Sequence, residues 1–225
     1  EESTNLMIVN HNSDQAITFI SRLIRSVREN GSNVIVPVLQ NDISFSDDAV
    51  SCYLKDSGLY YSENSEALDI RAVSEKLINI VFTSDKERIR GLKDILPLCP
   101  ENSLLLIDEA LGDTLGSRRA ELKKLIRTAE RCGVIICTLQ KQLSSDDHQN
   151  ISALAGLFST FMLFGCTELS TTERRIFGIP SGESPEKHAV DEMTSGQFLA
   201  VGSLATEKGY IRYPVILNMQ SNDTE

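Results

Sequence analysis

No Gly-Lys pair occurs anywhere in these 225 residues. That absence excludes the usual phosphate-cradling loop, G-x-x-x-x-G-K-[ST]. Its glycines let backbone N–H groups wrap phosphates, and its lysine reaches the outer ones. No apolar run approaches the roughly 18 to 20 residues that a membrane span needs. No signal-peptide pattern opens the chain. The first residue is Glu and an apolar strand follows almost at once, so the expectation is a piece of a longer protein. Basic residues are in short supply, with 22 Lys and Arg against 32 Asp and Glu and a net charge of −10. Binding to a nucleic acid backbone rests on phosphate neutralisation, which counts against direct DNA binding by this domain. Cysteines number five, an odd count, and none forms C-x-x-C. Cys132, Cys137 and Cys166 lie in or beside apolar segments. The reading is buried free thiols in a reducing compartment, with no metal or disulfide site.

What is present is ordinary globular composition, 41% hydrophobic and 24% charged, in a chain long enough for one well-buried core. One domain is expected over residues 1–219, with a polar tail at 220–225. Asn5 to Val9 reads as a buried strand. Ala16, Phe19, Ile20, Leu23, Ile24 and Val27 follow at helical spacing, and Asn30-Gly31 is a helix stop. Val34 to Leu39 is a second strand. Its Pro37 cannot donate to a ladder, so an edge position or a bulge is expected. Gln40 to Lys55 reads as loop and Leu59 to Ser62 as a short strand. Ile70, Val73, Leu77, Ile80 and Val81 mark a helix by their spacing, and Thr83 to Leu96 reads as a more exposed helix ending near Pro97. Leu104 to Ile107 is an unbroken aliphatic strand. Leu122, Leu125, Ile126 and Ala129 form the inner face of a further helix, stopped by Gly133. Val134 to Leu139 and Thr160 to Phe164 are strands. Phe198 to Leu204 and Tyr210 to Leu217 flank Thr206-Glu207-Lys208-Gly209 as an antiparallel hairpin. Strands alternating with helices predict an α/β fold, with a mostly parallel sheet covered on both faces and this hairpin at its end.

The segment with the most chemistry is Ser103-Leu104-Leu105-Leu106-Ile107-Asp108-Glu109-Ala110. Four aliphatic residues followed by Asp-Glu make the Walker B pattern. A buried strand delivers the Asp108 carboxylate to the carboxyl end of a parallel sheet, where ligands bind. There Asp108 would hold magnesium through water and Glu109 would polarise the attacking water. The competing reading is a buried strand that ends in acidic loop residues. Beyond it come a helix with Arg127, Glu130 and Arg131, then Gly133 and the aliphatic strand ending Thr138-Leu139-Gln140.

Walker B strand, helix with Arg-x-x-Gly and strand with terminal Thr and Gln together resemble the FtsK/SpoIIIE–HerA superfamily of hexameric translocation motors. In that family the terminal Thr and Gln sense the γ-phosphate, so the resemblance assigns that role to Thr138 and Gln140. The family has them adjacent, whereas here Leu139 intervenes. Leu143-Ser144-Ser145, the strand Thr160 to Phe164 and the glycine-led Gly196-Gln197-Phe198-Leu199 fall where the family has its next elements. Members are P-loop NTPase-like, RecA/FtsK-like domains that bind ATP and magnesium.

The front of the chain departs from the family. Its phosphate-loop position is His11-Asn12-Ser13-Asp14-Gln15-Ala16-Ile17-Thr18, following Asn10, with no Gly and no Lys. Asp14 would place negative charge where a triphosphate sits. ATP and magnesium binding is therefore expected to be weak or absent, and the isolated domain inactive as an ATPase. Such a degenerate domain resembles the C-terminal domains of type VII secretion ATPases of the EssC/EccC sort. There Leu59-Tyr60-Tyr61 and Glu66-Ala67-Leu68 match the stretch before Walker B. The resemblance implies a cytoplasmic location in a longer, membrane-anchored protein. Its implied partners are neighbouring ATPase domains of the same chain or hexamer, and a secreted protein substrate. Two other readings stay open: an active DNA-translocating or conjugative coupling ATPase whose Walker A lies outside this piece, and an unrelated α/β binding module.

Arg118, Arg119, Lys123, Lys124, Arg127 and Arg131 crowd one helix. The plain reading is a solvated face. Arg131, beside the sensor strand, is the candidate arginine finger. His148 and His188 lie in polar loops without ligand-spaced partners, so neither suggests a metal site.

Overall fold

A computed structural model describes residues 5–11, 14–39, 59–61, 77–82, 91–108, 114–140, 143, 156–165, 168–202, 204–206, 209–211 and 213–219. The architecture is α/β, with mixed, mostly parallel strand pairing and an antiparallel C-terminal portion. The chain forms two compact units. The first is Glu1–Phe19 with Leu139–Glu225, and the second is Ile20–Thr138.

In the first unit, strand β1 (Leu6–Asn10) pairs in parallel with β7 (Thr160–Phe164). β7 then pairs antiparallel with β8 (Gln197–Gly202), and β8 with β11 (Val215–Asn218). The predicted hairpin is thus built in two tiers. β8 and β11 pair as its base, while β9 (Leu204–Thr206) and β10 (Gly209–Ile211) form a separate two-stranded ribbon. Met7, Ile8 and Val9 of β1 are all at most 1% exposed, as an unbroken apolar run in a parallel pair should be. Three aromatics bind strand to helix. Phe164 and Phe198 stack at 4.8 Å between ring centroids, and Phe19 of helix α1 (Asp14–Glu29) packs against both at 5.5 and 5.9 Å. At Thr160↔Gly202 the backbones of β7 and β8 come so close that a Cβ on Gly202 would lie 2.0 Å from the Ser159 carbonyl oxygen. Glycine is required there by space as well as by its φ of +132°.

In the second unit the strand order is β6-β5-β2-β4-β3. These are β2 (Val34–Leu39), β3 (Leu59–Tyr61), β4 (Leu77–Phe82), β5 (Leu104–Asp108) and β6 (Ile135–Gln140, whose last two residues belong to the first unit). β2 pairs in parallel with both β4 and β5. Two corrections follow. The spacing of Leu77, Ile80 and Val81 predicted a helix, but Leu77–Phe82 is a strand between β2 and β3. A short, continuous apolar run satisfies helical spacing by accident, and only tertiary pairing decides it. Pro37 lies on neither an edge strand nor a bulge: it is opposite Ile80 in an interior strand. The register with β5 covers Val34 and Ile35, so Pro37 lies beyond that paired stretch, where a missing N–H costs little.

Both glycine stops hold. Gly31 and Gly133 take φ of +85° and +67°. Ser32 N–H donates to Val27 O at 3.1 Å after α1, and Val134 N–H to Ala129 O at 2.9 Å after helix α2 (Thr114–Arg131). These are Schellman closures. Of the α2 inner face, Leu125, Ile126 and Ala129 are at most 1% exposed. Residues 91–95 are helical and run into a 3-10 turn at Leu96–Leu98 that contains Pro97. The predicted segments at 40–55, 62–76 and 83–90 lie outside the described residues. The sequence reading passed over two short helices, α3 (Thr171–Phe177) and α4 (Pro185–Asp191).

Candidate functional site

In the first unit the chemistry gathers after the carboxyl end of β1. His11 follows the last strand residue, and its backbone N–H donates to Phe164 O at 2.9 Å, which fixes it beside β7. Helix α1 begins at Asp14, so only residues 11–13 connect strand to helix. The His11 ring donates through Nε2 to Glu173 Oε1 at 2.7 Å. The two side chains are 6% and 0% exposed. Glu173 is the third residue of α3 and does three jobs. Its Oε2 accepts from Ser170 N–H at 2.8 Å, while Ser170 Oγ accepts from Glu173 N–H at 3.2 Å, which completes a capping box. Its Oε1 also accepts from Leu143 N–H at 2.9 Å, in the chain after β6. One buried carboxylate therefore ties together three separate segments.

Among the described residues the carboxylate meets the N–H groups of Ser170 and Leu143 and the His11 ring, a set that favours its ionised form. Burial by itself would push the Glu173 carboxyl up. The hydrogen bonds from His11, Ser170 and Leu143, and the field of His11, together hold it below its usual value of 4.5. An ionised carboxylate only accepts, so His11 carries its proton on Nε2.

Farther along the first unit, Asp14 and Thr18 are exposed on the first turns of α1, and Ala16 is fully buried. Thr18 Oγ1 donates back to Asp14 O at 3.1 Å. Gln15 donates to Ser195 Oγ at 3.2 Å. Ile17 is half-buried, and Asn12 and Ser13 lie outside the described residues. Gln140 is 4% exposed and folds its amide back onto the Leu139 carbonyl at 2.9 Å.

In the second unit, Leu104, Leu105, Leu106 and Ile107 are each at most 2% exposed. β5 runs parallel to β2 and ends at Asp108, so Asp108 stands at the carboxyl edge of a parallel sheet, the edge where ligands bind in such folds. Glu109 lies outside the described residues. Thr138 is fully buried, and its Oγ1 is the one buried side-chain oxygen or nitrogen among the described residues without a hydrogen-bond partner. Arg131 is exposed in the last turn of α2. Lys123, Lys124 and Arg127 are exposed as well, as a solvated face requires.

Cys99 and Cys137 are buried free thiols, both pushed up to about 12, Cys137 by burial and Cys99 by burial and then by Cys132. Among the described residues no cluster of His, Cys, Asp and Glu could hold a metal ion, and no helix is long and apolar enough to cross a membrane. Cys52, Cys166 and His148 lie outside the described residues. Of all these features, sequence reasoning missed Glu173. The Ser170-Thr171-Thr172-Glu173 capping box was its available signal, since S-x-x-E marks a helix start. That signal does not reveal the contact with His11, 162 residues away in sequence.

No protein-family model matches the chain, and no curated protein matches it. Solved structures do. The chain is similar to the genome packaging NTPase B204 from Sulfolobus turreted icosahedral virus 2, solved in complex with AMP. The identity is 13% and the TM-score 0.61, over 89% of this chain and 92% of that one. The same NTPase in complex with sulfate matches at 13% identity and a TM-score of 0.61, over 96% of each chain. The cytoplasmic domain of the Thermomonospora curvata type VII secretion ATPase EccC is also matched, at 10% identity and a TM-score of 0.49, over 98% of this chain and 24% of that one. A likeness that low carries no weight here. The fold of the chain is that of the P-loop NTPases.

Proposed function

We propose that the chain is an ATPase-fold domain of a secretion or translocation motor that works without nucleotide turnover, by docking to neighbouring domains and regulating them. The observation that carries this reading is the connection between β1 and α1. It is three residues long, and its first residue, His11, is hydrogen-bonded to a buried carboxylate. A phosphate loop spends five positions, G-x-x-x-x, before its Gly-Lys, and its backbone N–H groups must face a ligand. Three residues without glycine do not supply that wrap. The B204 structures support an NTPase fold of matching size. The assignment to a type VII-like motor, with a membrane-anchored longer chain and a secreted protein substrate, rests on the resemblance carried by the missing phosphate loop and by Leu59-Tyr60-Tyr61 and Glu66-Ala67-Leu68. The acidic charge of −10 supports protein partners over DNA.

One observation favours a second reading, in which nucleotide still binds and Asp108, Glu109 and Thr138 act on it. The Thr138 hydroxyl has no hydrogen-bond partner among the described residues, and a buried orphan of this kind calls for an explanation such as a ligand. Magnesium-dependent phosphate release from ATP separates the two readings. The first expects no release above background, and the same for Asp108→Ala. Turnover that Asp108→Ala abolishes would establish the second.

A further inference from the structure

We propose that Glu173 is a proton-sensitive latch: its ionised carboxylate fastens the chain after β1, the chain after β6 and the start of α3 into one arrangement, and neutralising it releases them. The geometry is that of a clasp. Glu173 Oε1 accepts from both His11 Nε2 at 2.7 Å and Leu143 N–H at 2.9 Å, and Oε2 accepts from Ser170 N–H at 2.8 Å. These three donors come from segments centred on residues 11, 143 and 170, all in the first unit. The Glu173 side chain is fully buried and that of His11 is 6% exposed, so water does not stand in for a lost bond.

Protonation turns one acceptor oxygen into a hydroxyl and removes the charge that strengthens all three bonds, so the clasp is weakened in that state. Among the described residues, those facing the carboxylate are His11, from the end of β1, and the uncharged N–H groups of Leu143 and Ser170, and of these His11 alone is titratable. Arg174, next to Glu173 on α3, is turned to the carbonyls of Leu169 and Pro180 at 3.2 and 3.3 Å. Two of the tied segments follow strands at the edge where α/β folds bind ligands and move loops. The latch concerns the first unit alone and stands whether or not ATP binds.

Amide hydrogen exchange on the whole chain tests it, read as protection factors at Leu143 and Ser170, with Leu163 in β7 as the internal control. Acidifying the wild type through the titration of Glu173 should lower protection at Leu143 and Ser170 by roughly 10- to 100-fold, the range spanned by a lost hydrogen bond to a charged group. Leu163 should keep its protection over the same pH range. Glu173→Gln should show the low protection already at pH 7, without further pH dependence. His11→Phe should lower protection at Leu143 at neutral pH. The proposal is overturned if Leu143, Ser170 and Leu163 lose protection together in the wild type, since the clasp then opens only by global unfolding. It is equally overturned if folded Glu173→Gln keeps wild-type protection at Leu143. Should that variant fail to fold, the wild-type acid series decides alone.

Discussion

At Glu173 the count of donors decides stability as well as charge. Three donors meet one carboxylate with no exposure. Glutamine keeps the shape but turns an NH2 toward donors, and breaking a buried charged cluster this way costs about 3 kcal/mol. Because the folded carboxyl titrates below its ordinary 4.5, its stabilisation is complete above that value and is lost as pH falls through the folded pKa. Urea melts should therefore show a gap of about 3 kcal/mol between wild type and Glu173→Gln at pH 7, closing on acidification. The buried thiols make a second prediction at this scale. Cys99 and Cys137 are pushed up to about 12, so native protein at pH 8 leaves both unlabelled by an alkylating reagent while Cys132, half-buried, reacts before them. Peptide mapping by mass spectrometry reads this directly. Of the clasp only the Ser170–Glu173 capping box was legible in the sequence, because a histidine and a glutamate 162 residues apart carry no local signal.

Elements were more readable where their chemistry is local. Gly31 and Gly133 stop helices because a left-handed closure needs glycine, and that requirement is written in the sequence itself. The aliphatic run Leu104–Ile107 had to be a buried strand, and it is. β4 was read as a helix, and α3 and α4 were passed over, because six or seven residues hold too few periods for spacing to decide. Close packing makes the β7–β8 pair a sensitive junction of the first unit. Gly202→Ala should cost at least about 2 kcal/mol, since the added methyl meets backbone that cannot yield. Phe164→Ala should cost about 3 to 5 kcal/mol by removing the ring that touches both Phe19 and Phe198. Thermal melts of the two variants check both values.

At the scale of the molecule, two features pull in different directions. The fold is that of the P-loop NTPases, and the aliphatic strand Leu104–Ile107 is fully buried in the second unit. Yet the connection from β1 to α1, which we propose stands in the place of the phosphate loop, has neither glycine nor lysine, and its His11 is bonded to Glu173. The most direct measurement is calorimetric titration of magnesium–ATP into the protein, with Asp108→Ala beside it. The account predicts no heat of binding up to millimolar ATP for either protein. Micromolar binding that Asp108→Ala weakens would contradict it and make the chain a nucleotide-driven motor domain.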